Sequence, residues 1–433
     1  IKMKDSSDID VVVIGAGAAG LSATNELIKN CKSVICVEAT HKIGGRCYTD
    51  NSIFGQPYDL GAHWLHCFSN NQIAEYGKKN KQDFQIYKIK EKFLVYDINK
   101  KVSGNSLFKI IEKLKFLKEK YSNPELKKKY VDLPFSELIP NEIKKHEWYH
   151  TAHQALGACL EGVDFNNFTT ADAYLNYKNN GEGDGFVREG YGTLLAHYRR
   201  NIPVSLNTIV KEINWSGSYL KIETNVGTIK TKACIITVST GVLNSGLINF
   251  KPRLPSEKYD AFAGINLGLY NHIVLQFKQD FYKNFNIEQD EYFFSKINSF
   301  SGSPKGCFGT LKLHNSNLSY FDVGGKFALE LENEGEKASV DFVINNLRSS
   351  FGNEVDKYFT KSHVTLWGKN KFFAGSYSSA QPGKAHLRKN LKSSVANKIF
   401  FAGEATSTNY GTVHGADMSG KEVALDLIKT QEF

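Results

Sequence analysis

Long apolar runs, paired cysteines, internal repeats and metal-ligand clusters are all missing from this chain, and each absence narrows the reading. No stretch of 18 or more consecutive apolar residues occurs among its 433 residues, so no segment is built to cross a bilayer as a helix, which takes about 20. Seven cysteines, an odd number at irregular spacing, make neither a disulfide framework nor a zinc pattern. A reducing, cytoplasmic compartment is therefore expected. No secretory leader is recognisable, although the chain opens on Ile1 rather than Met and an earlier segment stays an open question. His63 and His66 lie close together without a third ligand, so no metal is expected.

What is present is a formal charge of +9, carried largely by scattered lysines. In KIIEKLKFLKEKYSNPELKKK (109–129) lysines alternate with a helical apolar period, which marks a solvated helix face rather than a nucleic-acid patch. A positive chain disfavours steering of polycations unless carboxylates focus a local field. Glu161, Asp164, Glu182 and Asp184 are candidates for such a mouth, against the plainer reading of solvated loop charge.

A chain of this length exceeds a single core, so two or more domains are expected. IDVVVI (9–14) is a β-branched apolar run that fits a strand buried on both faces. It enters GAGAAG (15–20), then the helical LSATNELIKN, then a second strand, SVICVE. That is a βαβ unit, the mark of an α/β fold with a parallel sheet. Residues 71–185 read as mostly helical and polar. Strand patterns return in VSLNTIVKEINW, YLKIETN and TIKTKACIITVS (204–239), in IVLQF (273–277) and in FALEL (327–331), with a helix near 335–350 and a closing strand–loop–helix over 398–430. The expected architecture is a discontinuous Rossmann-like dinucleotide-binding domain (1–70, 186–250, 396–433) interleaved with an α+β substrate domain (71–185, 251–395).

Gly15, Gly17 and Gly20 form G-x-G-x-x-G between a strand and a helix. The first glycine makes the turn, the second admits a pyrophosphate to the backbone, and the third lets the helix close on the strand. Ala18 and Ala19 stand at the helix N-terminus, whose free amides and dipole favour phosphate. Glu38, which ends the next strand 23 residues after Gly15 and precedes Ala39, can accept both ribose hydroxyls of an adenosine. Gly44-Gly45-Arg46 follows as a second glycine turn with a cation for the pyrophosphate's other side. In Gly61-Ala62-His63-Trp64, two small residues leave backbone free to lie against a flat ring, with bulk beside it.

With NTIVKEI (207–213), IITVSTGVL (235–243), LWGKNKFFAGSYSSAQPG (366–383) and IFFAGEATSTNYGTVHGADMSG (399–420), these motifs resemble the flavin-containing amine oxidase family, nearest its polyamine oxidase and lysine-specific demethylase branch. The resemblance implies bound FAD. It places Val210 at the adenine, Glu404 at the ribityl chain, Val413 with its N–H on the flavin's pyrimidine edge, and Trp367 beside the ring. A helix N-terminus there would stabilise an anionic reduced ring. Covalent members tether the flavin through a cysteine where this chain has Ser376, so a non-covalent FAD is implied.

The resemblance also makes Tyr377 one wall of an aromatic cage and puts the second wall near Thr412, so the cage looks half built. His272 stands where relatives usually carry a lysine that holds a water against flavin N5. A histidine could carry that water with less steady charge, which suggests slow reoxidation by O2 or another electron acceptor. Arg188-Glu189 stands where relatives usually have Pro-Gly. The expected chemistry is oxidation of a primary or secondary amine, including polyamines, by hydride transfer to flavin N5. The product imine hydrolyses to an aldehyde plus amine or ammonia, with H2O2 if O2 accepts the electrons. Two rivals remain: an amino-acid oxidase or other flavin oxidase on the same fold, which would use a cationic clamp such as Arg188, and an FAD-binding regulatory or interaction protein. Oligomeric state is left open.

Overall fold

The run IDVVVI becomes strand β1 (Ile9–Ile14), and Val11, Val12 and Val13 are wholly buried. Helix α1 (Ala18–Lys29) and strand β2 (Val34–Val37) follow, and β2 pairs parallel with β1. On the other side of β1 lies β3 (Gly227–Ile236), also parallel, and Val204–Ser205 extends the sheet beyond β2. The carboxyl half of β3 pairs parallel with Ile399–Phe401, while its amino half turns antiparallel to Leu220–Thr224. This is a computed structural model, and it describes residues 9–176, 182–298 and 303–430. The outermost ends of the expected nucleotide segments, 1–8 and 431–433, lie outside the described residues.

The final helix, Val413–Thr430, lies against α1. A Cβ on Gly420 would stand 2.0 Å from the Ala19 carbonyl, and one on Gly415 would stand 2.0 Å from the Asn409 carbonyl. The small residues of GADMSG thus serve a close helix–helix crossing and a tight entry turn.

A second sheet runs in the order Phe359–Val364, β4 (Tyr270–Phe277), β5 (Leu318–Gly324), Phe308–Leu311, Glu291–Ser295, Phe93–Asp97, Lys100–Val102. Alternation splits its side chains between two cores. Ile273, Leu275, Phe293 and Phe321 meet the helices Gly325–Glu334 and Glu336–Phe351, whereas Val95, Tyr292 and Phe294 meet a helical layer built on Leu107, Phe135, Trp148 and Phe165. In that layer the lysine-rich helix Asn105–Ser122 buries Leu107, Ile110, Ile111 and Leu114 and exposes most of its lysines.

One local expectation fails. FALEL (327–331), read as a strand, is helical: Phe327, Ala328 and Leu331 are buried at helical spacing, and Leu329 faces solvent. The region 71–185 also contributes strands, Ile86–Lys88 to a small sheet and Phe93–Asp97 and Lys100–Val102 to the large one. In Phe93–Asp97 the adjacent Leu94 and Val95 are both buried, so the run reads short and apolar rather than alternating.

Candidate active site

Two glycine turns face each other at the carboxyl ends of the parallel strands. Gly15 has φ +103°, and a Cβ on Gly20 would lie 1.8 Å from the Gly15 carbonyl oxygen, so both are glycine by necessity. Gly17 differs: a Cβ there would meet nothing nearer than 3.9 Å. Packing does not require that glycine, whereas a ligand lying on the backbone would. Gly45, at φ +60°, comes within 3.3 Å of the Gly17 Cα measured from its ideal Cβ, and the Gly44 amide donates to the Ala16 carbonyl at 2.8 Å. The two turns are backbone to backbone, beside the Ala18-Ala19 start of α1.

Glu38 is buried and oriented: Oε2 accepts from the Ala16 amide at 2.8 Å, and Oε1 from the Thr40 amide and hydroxyl at 2.9 and 2.8 Å. The Glu38 and Thr40 carbonyls accept from Thr208 and Asn207, which draws the strand at Val210 toward the half-buried Ala39. A register break between Val210 and Glu212 interrupts the ladder there.

A shallow cleft lies at the ends of β3 and Ile399–Phe401, lined in part by Arg46, Thr237, Ser239, Phe401 and Glu404. Ligands of parallel α/β sheets bind at such strand ends. Arg46 Nη1 donates to Glu404 Oε1 at 3.0 Å and to the Ser376 carbonyl at 2.5 Å. Glu404 also accepts from the Ser378 amide and hydroxyl and from the Gly411 amide. Burial pushes the Glu404 carboxyl up, but Arg46 and then Arg388 outweigh it and hold it below its ordinary value.

Gly61 is pinched: a Cβ would stand 2.1 Å from the Arg46 carbonyl and 2.9 Å from Trp367 Cζ2. The Ala62 amide donates to the same carbonyl, and Trp367 Nε1 donates to the Leu60 carbonyl. His63, expected beside a flat ligand, is instead enclosed by rings, stacked on Tyr320 at 5.1 Å and 4.8 Å from His272. Its nitrogens have no partner among the described residues, and burial, then His272, keeps it neutral. Trp64 packs on Phe186 and Tyr292.

His272 departs furthest from expectation. Nδ1 is 2.5 Å from Asp322 Oδ1, Nε2 is 2.8 Å from the Gly61 carbonyl oxygen, and both side chains are fully buried. Both partners are acceptors, so both nitrogens carry protons. Burial opposes that charge, but Asp322 outweighs it and raises the pKa above 6.5. Neither nitrogen is left to carry a water. The sequence signal for Asp322 was its standing as a lone acid in the apolar strand LSYFDVG.

Tyr377 donates its hydroxyl to the Cys159 carbonyl at 2.9 Å. Cys159 ends a π-helical turn, Gln154–Cys159, of the kind that frees a carbonyl from the helical ladder. Thr412 is a cap rather than a wall: its hydroxyl accepts from the Gly415 amide at 3.0 Å and donates to the Asn409 carbonyl at 2.7 Å, so Val413 opens the final helix.

The expected acidic mouth is divided. Glu161 pairs with Lys118, Asp164 with the Ser303 hydroxyl, and Asp184 with His66, while Glu182 is exposed. Arg188 and Glu189 both hold Gln85 and line a separate surface pocket with Gln56 and His314. Among the described residues no group of three or more His, Cys, Asp or Glu could hold a metal, and no helix is long and apolar enough to cross a membrane.

A paired glycine cradle, an oriented carboxylate at one end and a helix N-terminus at the other fit a dinucleotide with a flat redox ring, which defines an FAD-dependent oxidoreductase. The chain belongs to the family of flavin containing amine oxidoreductases, whose profile matches residues 18–428. It is 28% identical to polyamine oxidase 4 of Oryza sativa subsp. japonica, over 97% of this chain and 88% of that protein. It is 26% identical to lysine-specific histone demethylase 1 homolog 1 of the same plant, over 97% of this chain and 52% of that protein. Among solved structures, wild-type putrescine oxidase bound to putrescine superposes with a TM-score of 0.76 at 18% identity, covering 97% of this chain and 99% of that one.

Proposed function

We propose that this amine oxidoreductase acts on di- or polyamines and holds FAD without a covalent bond. The supporting observation is Tyr377, an aromatic wall fixed through its hydroxyl and set 3.8 Å from the ideal Cβ of Gly411, in the turn that opens the final helix. Residues 1–70, 186–250 and 396–433 would form the cofactor domain, and 71–185 and 251–395 the substrate domain.

Gly15, Gly17, Gly20, Gly45 and the amides of Ala18 and Ala19 would hold the pyrophosphate, with Arg46 facing it. Glu38, Ala39 and Val210 would take the adenosine. Gly61, Ala62, Trp367 and Val413 would border the ring, and Glu404 would keep Arg46 and the Gly411 turn in place beside the ribityl chain. Bound FAD supplies a two-electron acceptor for the C–H bond beside the amine nitrogen, and the product imine is hydrolysed by water.

The aromatic surroundings of Tyr377 disfavour an ammonium by desolvation and so present the amine neutral. His272 is neutralised by Asp322 and has no free nitrogen. It supplies no mobile cation or water, which supports slow reaction with O2 and a different acceptor. A rate with O2 as high as typical oxidases show, in stopped flow, would overturn that point. Seven free cysteines accord with a reducing, cytoplasmic setting.

The test is anaerobic titration of the FAD-loaded protein with mono-, di- and polyamines, read by bleaching of the oxidised flavin band. Bleaching by diamines or polyamines is expected. Bleaching only by amino acids would move the assignment to that rival class, and none by any amine would leave an FAD-binding module. FAD freed by acid precipitation would confirm a non-covalent cofactor.

A further inference from the structure

Arg188 and Glu189 are sequence neighbours of opposite charge, yet among the described residues neither has an ion-pair partner. They follow the strand Asp184–Val187 and line a surface pocket of about 360 Å³, a size that admits a small molecule. Leu313 and Leu318 supply apolar lining. Arg188 Nη1 donates to the Gln85 side-chain oxygen at 3.1 Å, and the other guanidinium nitrogens make no hydrogen bond among the described residues. Glu189 Oε2 accepts from the Gln85 amide at 2.8 Å, which leaves Oε1 free there.

His314 lines the same pocket, and its tautomer is determined. The Tyr87 hydroxyl gives its one proton to Asp290 Oδ2 at 2.8 Å. His314 Nδ1, 2.9 Å from that hydroxyl, must therefore be the donor to it. Burial, and then the Arg188 charge, push the His314 pKa down to about 3, so the ring is neutral. Nε2 thus keeps a lone pair, with no hydrogen bond among the described residues. The backbone is bent to present this ring: Lys312 and His314 are left-handed, at φ 52° and 57°, and the His314 amide is tied to Asp290 Oδ1 at 2.8 Å. Such residues are strained and persist where their surroundings hold them.

A fork of donors, a carboxylate oxygen and an imidazole lone pair in one pocket suit a ligand with two unlike ends. A carboxylate matches Arg188, and an N–H group matches Glu189 and His314. A polyamine would be repelled by Arg188 and a phosphate by Glu189, so neither satisfies the set.

We propose that this pocket is a binding site for a small amino carboxylate, its carboxylate held by Arg188, its ammonium by Glu189 and His314, and its methylene groups by Leu313 and Leu318. The site is separate from the glycine cradle. Phe186 lies between His314 and His63, its ring centroid 5.5 and 5.6 Å from theirs. Nothing in the proposal depends on the amine-oxidising reading.

The test is isothermal titration of the FAD-loaded protein with glycine and with 4-aminobutanoate, which separates an α-amino from an ω-amino ligand. Saturable binding of at least one is expected. Butanoate and butylamine, which each carry only one of the two charges, should bind wild type at least about tenfold more weakly. Arg188→Gln and Glu189→Gln should each weaken the amino carboxylate by about tenfold, as loss of a charged hydrogen bond implies. In protein labelled with 15N-histidine, the His314 Nε2 resonance, assigned by its loss in His314→Gln, should shift over the same titration. Binding of neither compound, equal binding of butanoate or butylamine, an unmoved His314 resonance, or unchanged affinity in either variant would overturn the proposal. Anaerobic bleaching of the flavin by a compound whose binding survives Arg188→Gln would place it at the active site and overturn the proposal as well.

Discussion

Arg388 grips Asp172 through two parallel hydrogen bonds, Nε to Oδ1 and Nη2 to Oδ2, each 2.6 Å long. Both residues are buried, and they lie 216 positions apart. Arg388 Nη1 reaches the Ser378 hydroxyl and the Ala405 carbonyl, and Ser378 in turn serves Glu404. Tyr410 covers the guanidinium at 4.0 Å. The helix Ala171–Leu175, which carries Asp172, is therefore wired to the turn around Glu404.

Arg388→Met would strand the Asp172 charge, and breaking a buried pair from one side costs about 3–5 kcal/mol. Urea unfolding should show that loss, with FAD released at lower urea than in wild type. The double variant Arg388→Met/Asp172→Leu should lose less than the sum of the single changes, because it leaves no lone buried charge.

The His272–Asp322 pair gives stability a pH dependence of known sign. The folded-state pKa of His272 lies above its ordinary 6.5. Above that pH the folded protein binds more protons than the unfolded chain, so this contribution is complete below 6.5 and falls as pH rises through the folded value. Thermal melts of wild type should show the decline, and Asp322→Asn should lack it while being less stable at pH 6.

Thr412→Val removes the hydroxyl that caps the final helix. The expected cost is about 1 kcal/mol, seen as a lower melting temperature, with kcat close to wild type. A large fall in kcat with FAD fully retained would instead return Thr412 to the substrate.

Gly420→Ala forces a methyl group against the Ala19 carbonyl. Overpacking of this kind costs about 1–3 kcal/mol, and here it displaces the helix whose first turn borders the glycine cradle. Reduced FAD occupancy on purification, restored by added FAD, is the expected outcome.

The nucleotide half of the site was legible because its determinants are local: GAGAAG, Glu38 and Gly44-Gly45-Arg46 lie within 32 residues and announce themselves by residue type. The substrate half was not, because its determinants are pairings over distance. His272 could be placed on its strand, but its partner Asp322 lies 50 residues on, and only the strand register of β4 with β5 sets them side by side. For the same reason the sequence does not show that the rings of Tyr320 and His272 close over His63. FALEL failed differently. Its five residues fit a strand by alternation, and the neighbouring buried Gly325 and Glu332 reveal the longer helical period.

Ser376 carries one consequence more. Its single hydroxyl satisfies both the amide and the carbonyl of Tyr270, and a thiol is a weak donor and a weak acceptor. Exchanging it for cysteine would therefore loosen Tyr270 in the same step that offers an anchor to the cofactor.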